Sequence, residues 1–394
     1  MDVFFMKAFR SLVAAALISV SLSAAAFAEP EFSVNGGAVW FSENVSAEMI
    51  QQAKDKLAAE KTPIEECSLR LDHVNQEAFA AIVKAFSDFR VVSIWCPDVT
   101  DLPPLSAMSN LASLTIESAG SVKNLDFVAP MSHLAFLAIF GLPADLKSFE
   151  PLAGKESLEV LTIAMGEDLP EGAVLPDLTP LASCPSLSQL CLQNCDGDLA
   201  PLASCQALQS LDLEGSKFKD LSALAGCSSL IKISACKMPS LDITTLGKIP
   251  SLQFIEVGRA GNITDLNWLA GLTNLKGFTL SEEKIADFSP LAAKPDLTML
   301  SLHSVNIPDS SFLAQLKNLS SLELSDINAQ SEPFDLAPLA GLDKLSSISL
   351  SSLKVKNADV LLKLPALSVL FRSEADGVSD DLVNQLKEKG VESF

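Results

Sequence analysis

Apolar and polar residues alternate along this chain in short bursts that return at a nearly constant interval. Aligned on the spacing L-x-x-L-x-L, the bursts begin at Ile64, Phe89, Leu111, Leu134, Leu158, Leu187, Leu208, Leu230, Leu252, Leu275, Leu297, Leu319, Leu345 and Leu367, with successive starts 21 to 29 residues apart and most often 22. The first and fourth positions are apolar throughout if Cys67 is counted, and the sixth everywhere except at Arg372. The fifth is mostly Ser, Thr, Asp or Glu, as at Ser93, Thr115, Asp212, Glu256, Thr279 and Glu323. Such period-2 alternation predicts a short strand with one face buried. A unit of this size cannot bury its own apolar face, so neighbouring units must stack.

The back half of each unit carries a second signature. It reads Asp101-Leu102-Pro103-Pro104-Leu105, Asp177-Leu178-Thr179-Pro180-Leu181, Asp198-Leu199-Ala200-Pro201-Leu202 and Asp335-Leu336-Ala337-Pro338-Leu339, with weaker copies at Asp220, Asp265, Asp287 and Asp359. An Asp ahead of a helical turn accepts from its unpaired N–H groups, and Pro in the first turn gives up a donor that had no partner. Each unit therefore predicts one strand and one short helical turn. A helical-bundle repeat is excluded, because no unit holds a ten-residue run apolar at i, i+3, i+4 and i+7. The ends read as caps. A helical face over 47–60 comprises Met49, Ile50, Ala53 and Leu57, a second helix over 76–88 follows Asn75, and a last one covers Ser379–Lys389. A hairpin around Gly36-Gly37 precedes them. The expected organisation is an N-terminal cap over 29–63, a repeat array over 64–373 and a helical cap over 374–394.

The unit from Leu275 to Asp296 resembles the 22-residue leucine-rich repeat of bacterial internalin-type proteins, through Leu275, Phe278, Leu280, Ile285, Asp287, Pro290 and Leu291. The resemblance spans about residues 64–373 and implies an α/β repeat fold. This is a right-handed horseshoe-shaped solenoid with a parallel sheet on its concave face and short helical turns on its convex face. It also implies a role in protein recognition. One departure is visible. The ninth position, Asn in such repeats, here holds Cys195, Ser216, Met238, Glu283 or Val305.

The first residues predict an address. Lys7 and Arg10 precede an apolar run from Leu12 to about Phe27, and Ala26-Phe27-Ala28 completes a secretory signal with cleavage near Ala28. Met6-Lys7 offers an alternative start. The run is short for a bilayer span, which takes roughly 20 apolar residues, and Ser19, Ser21 and Ser23 dilute it after Ser11 at its edge. No later stretch is long and apolar enough to span a membrane. The expected location is secreted or periplasmic, with no transmembrane anchor.

Charge and composition narrow the function. A net charge of −21 argues against nucleic acid and anionic membrane surfaces. Three His leave little room for a histidine-based catalytic or metal centre. Ser301 and His303 share a strand without an evident orienting acid, so no catalytic residues are expected. No metal site and no cofactor are expected either. Cys184, Cys205 and Cys227 fall in one column of three consecutive units, where disulfide pairing and burial as small hydrophobes are both open.

The third, fifth and seventh positions point to the exposed side of the sheet. Large apolar residues there nominate a partner-binding surface of Trp95, Phe136, Phe140, Val91, Val160 and Phe254. The expected protein is a monomeric, non-catalytic binding protein for a protein or other macromolecule. The alternative is an envelope-associated spacer without a dedicated ligand.

Overall fold

The structure, a computed structural model, describes residues 32–166, 173–327 and 332–394. The predicted export signal lies outside them. The chain divides after Leu187 into two compact units, each built of short parallel strands alternating with 3-10 turns.

The first unit opens with an antiparallel hairpin, β1 (Phe32–Asn35) and β2 (Ala38–Ser42). Helix α1 (Ala47–Glu60) follows, with Ser46 Oγ accepting from Met49 N, and leads to β3 (Ser68–Asp72). Helix α2 (Gln76–Ala85) is capped by Asn75, whose side chain accepts from Ala78 N. Strands β4 (Val91–Trp95), β5 (Ser113–Ile116), β6 (Phe136–Leu142) and β7 (Val160–Met165) complete the parallel ladder, joined by turns such as Pro103–Ala107 and Glu150–Leu152.

The second unit runs in parallel register from β8 (Gln189–Gln193), β9 (Ser210–Asp212), β10 (Lys232–Cys236) and β11 (Phe254–Gly258) to β12 (Gly277–Ser281), β13 (Met299–His303) and β14 (Ser321–Ser325). The short β15 (Phe334–Asp335) lies beside the far end of β16 (Ser347–Lys356), which pairs with β14 and with β17 (Val369–Asp376). Helix α3 (Asp380–Glu388) and β18 (Glu392–Ser393), paired with β17, close this end.

The apolar positions of the repeat are the core. Leu300, Leu302, Leu322 and Leu324 are at most 1% exposed, and burying each such side chain contributes about 1.5–3 kcal/mol. Three local expectations shift. The first register does not start at Ile64. Ser68 lies beside Val91, so Leu69 and Leu71 point inward while Ile64–Glu66 form a 3-10 turn. Strand β2 also joins the ladder, pairing in parallel with β3 through Trp40 and Arg70. Finally, the turn-capping Asp stands one residue ahead of the N-cap position, which is held by Leu178, Leu199, Leu221 or Leu266.

The capping chemistry itself is regular. The carboxylates of Asp177, Asp198, Asp220, Asp265, Asp287 and Asp335 each accept from the N–H two residues on, at 2.7–2.9 Å. Asp242 and Asp309 do the same at 3.0 and 2.8 Å. In the first unit Asn124 and Ser148 take this part. Asp101 has no such donor two residues on, because residue 103 is Pro, and its own N–H and that of Thr100 donate to the Gln76 side chain.

Most strands end in a left-handed residue at the eighth position, with Cys96, Ser118 and Met165 as exceptions. His73, Lys237, Arg259, Glu282 and Ser304 have φ of 51–59°, and their amides reach the next strand's carbonyl at 2.8–2.9 Å. The missing Asn of the ninth position is replaced piecemeal. Glu283, 3% exposed, accepts from Ala260 N, Gly261 N and Ile263 N, while Ser216 Oγ accepts from Cys195 N and donates to Leu192 O. The cysteine column is buried, and no disulfide forms among the described residues. The Cys184 and Cys227 thiols donate to Leu152 O and Leu202 O at 3.1 and 2.9 Å. Lys155 and Lys294 occupy the same place in their own units. Lys155 Nζ donates to Ala129 O and Met131 O, and Lys294 Nζ to Leu272 O. Burial lowers the pKa of both lysines below the usual ammonium range.

Hydrogen bonds from the turn hold the carboxyls of Asp177, Asp220 and Asp309 below the ordinary 3.8. A depressed carboxylate stabilises the fold above its unfolded pKa, and that contribution is lost as pH falls through the folded value. Asn at these positions keeps the acceptor and removes the titration. The triple Asp→Asn variant should therefore lose less urea resistance than the parent between about pH 5 and about pH 2. An equal loss in both proteins would show that the caps do not titrate with folding.

Candidate functional site

The sheet face of the first unit is organised in columns, because strands in register place equivalent positions about 4.8 Å apart. The third-position column runs Ala38, Ser68, Val91, Ser113, Phe136, Val160. The fifth runs Trp40, Arg70, Ser93, Thr115, Ala138, Thr162 by the same pairings. The seventh holds Asp72 beside Trp95 and Phe140 beside Ala164, with Glu117, the first residue past β5, in the unit between Trp95 and Phe140.

Five of the six nominated residues stand on this face. Trp95 is 43% exposed, and Val91, Phe136, Phe140 and Val160 are half-buried. They do not form one aromatic cluster. Phe136 adjoins Val160 and is separated from Val91 by Ser113, whereas Trp95 and Phe140 occupy the other column. The ring against Trp95 is that of His73, edge-on at 4.4 Å between centroids. His73 sits in the left-handed position after β3, and its N–H donates to Trp95 O.

A polar group beside Trp95 was not nominated. Arg70 Nε donates to both carboxylate oxygens of Asp72 at 2.9–3.0 Å, and Trp40 Nε1 donates to Asp72 Oδ2 at 2.7 Å. Asp72 is 9% exposed, so this carboxylate is enclosed and satisfied. Trp40 belongs to the hairpin, and only the parallel pairing of β2 brings it here. The Cys96 thiol, 3% exposed, donates to Leu71 O, and burial pushes its pKa up to about 11. It is a poor nucleophile at neutral pH.

Phe254, the sixth nominated residue, belongs to the second unit and is half-buried. Its ring lies across Gly277 of the next strand, where an added Cβ would come within 2.5 Å of Phe254 Cδ1. Beyond Gly277 in the column, Met299 is 49% exposed. The rest of this face is mostly polar and internally paired. Gln193 Nε2 and the Cys191 thiol approach Asp212 Oδ2 at 3.2 and 3.6 Å, and Lys237 pairs with Glu214 at 2.8 Å. Ser301 donates to Glu323 at 3.2 Å, not to His303. Among the described residues, no three His, Cys, Asp or Glu converge as metal ligands, and no helix is long and apolar enough to cross a membrane.

The architecture has clear structural counterparts. An internalin of Listeria monocytogenes (inlF) superposes with a TM-score of 0.54 at 23% identity, over 74% of this chain and 82% of that one. A leucine-rich-repeat protein of Leptospira interrogans matches with a TM-score of 0.52 at 16% identity, over 86% and 92%. The TLR13–ssRNA13 complex matches with a TM-score of 0.51 at 17% identity, over 84% of this chain and 56% of that one. No protein-family model and no curated protein matches the sequence. The chain is thus a leucine-rich-repeat protein by fold, structurally similar to these solenoids.

The chain holds three Trp, and two of them, Trp40 and Trp95, stand at this site. Trp268 is 7% exposed, Trp40 is half-buried and bonded to Asp72, and Trp95 is open to solvent. Trp95→Phe should remove most of the fluorescence that acrylamide quenches in the folded protein. Unchanged quenching in that variant would mean that Trp95 is covered.

Proposed function

We propose that this protein is an exported, non-catalytic binding protein that recognises a protein or other macromolecule through the sheet face of its N-terminal repeats. The observation that carries the reading is the solvent-open ring of Trp95, 43% exposed, on a parallel sheet face that also carries half-buried Phe136 and Phe140. Large aromatic side chains lose few rotamers on binding and supply much of the energy of protein interfaces. The fold supports the same reading, since leucine-rich-repeat solenoids typically serve as binding scaffolds and are generally non-catalytic. The net charge of −21 argues against a nucleic-acid partner.

Export rests on the basic start, the apolar run and Ala26-Phe27-Ala28. The mature protein recovered outside the cytoplasm should then begin at Glu29. A product that retains Lys7 and Arg10 would overturn that part of the proposal.

The binding reading is tested by comparing the parent with a Trp95→Ala, Phe140→Ala double variant as baits in the native extracellular or periplasmic fraction. Truncating two interface aromatics should cost at least about 2 kcal/mol, or some thirtyfold in affinity. Thermal unfolding should change little, because neither side chain is part of the leucine core. Equal partner recovery by both baits would move the binding surface elsewhere. A variant that no longer folds would place the two rings in the core.

A further inference from the structure

Trp95, Glu117 and Phe140 hold the seventh position of three successive units. Ile94, Ile116 and Ile139 are in register one residue earlier, and Glu117 N donates to Ile94 O at 2.8 Å, which carries the ladder through this position. Glu117, the first residue past β5, follows inward Ile116 and accepts from outward Ser93, so a carboxylate stands on the sheet face between the strands of two aromatic residues.

Glu117 is half-buried, and the Ser93 hydroxyl donates to its Oε1 at 3.4 Å. Among the described residues no Lys, Arg or His forms an ion pair with it. The nearby guanidinium of Arg70 is committed to Asp72, and His73 lies edge-on against Trp95. Beyond Phe140 the column continues with Ala164, which takes up little space on that side.

A carboxylate in such a place lacks a cation, and aromatic side chains attract one through their π faces. A phosphate or sulfate would meet repulsion here. A planar guanidinium fits best, because it stacks on aromatic rings while donating to a carboxylate. Building on the binding reading above, we infer that Trp95, Glu117 and Phe140 form a receptor for a basic side chain, arginine foremost, at the centre of the interface with a partner protein.

The test pans a phage-displayed library of random peptides on the full chain and sorts the binders by their response to variants. Peptides that lose binding on Trp95→Ala should carry Arg or Lys. They should bind about tenfold more weakly to Glu117→Gln, and also to Phe140→Leu, which keeps an apolar side chain of similar size without the π face. Added salt should weaken them further. Glu117→Gln retains an oxygen for Ser93, so its unfolding transition should match the parent's and serves as the folding control. Trp95-dependent peptides that lack basic residues, or that bind Glu117→Gln as well as the parent, would overturn the cation receptor and leave the sheet-face reading standing. Peptides indifferent to Trp95→Ala, or no binders at all, would count against both.

Discussion

The rest of the structure depends on the stacking of leucines between successive units. A 22-residue segment that makes one strand and one turn covers its apolar side chains only when the next segment lies against it. That requirement fixes the strand register, since Leu300 and Leu302 must lie beside Leu322 and Leu324 and cannot slip by one residue without facing water. Once register is fixed, the outward positions have no freedom either. The columns of the sheet face follow from the core, although their side chains contribute little to it.

Every unit must also return its backbone across the stack, and this leaves polar groups to be satisfied in a narrow space. The turn caps are uniform because the problem is local. An acceptor two residues ahead of an unpaired N–H solves it, whether supplied by Asp, Asn or Ser. Contacts between units are met with more varied chemistry. A thiol at Cys184 and Cys227 and an ammonium at Lys155 and Lys294 each donate to a carbonyl of the preceding unit. Glu283 and Ser216 serve as acceptors at the position where related repeats use Asn. The cysteine column is therefore more than a set of small hydrophobes, because two of its thiols act as buried donors.

The repeat, the inward leucines and most of the Asp caps were legible in the sequence because each is encoded within one unit. What was misread depends on a neighbour. Ile64, Cys67 and Leu69 satisfy the apolar spacing as well as any later unit does, and the true register of β3 becomes visible only from its pairing with Val91. The seating of the Phe254 ring over Gly277 of the next strand likewise follows from the pairing and not from either unit alone. Trp40 reads as a hairpin residue until β2 is seen to run parallel to β3. The aromatic residues of the sheet face were read one by one from their outward positions, and Trp95, Phe136 and Phe140 do stand on that face. Their division into two columns, with Glu117 between Trp95 and Phe140, follows from how successive units stack.

The same distinction changes what the charge of −21 means. Eight aspartates are engaged as turn acceptors, at 177, 198, 220, 242, 265, 287, 309 and 335. Asp72 is held by Arg70 and Trp40, Glu214 by Lys237, Glu282 by Arg259, and Glu283 by three backbone amides. These groups have structural reasons to be acidic and offer little to a cationic ligand. A large net charge with so many engaged carboxylates gives long-range steering and solubility, but not a specific contact. Specific recognition of a cation requires a carboxylate with hydrogen-bonding capacity to spare and apolar walls that exclude water. Glu117, with one long hydrogen bond and aromatic neighbours on both sides, meets that requirement better than the total charge suggests.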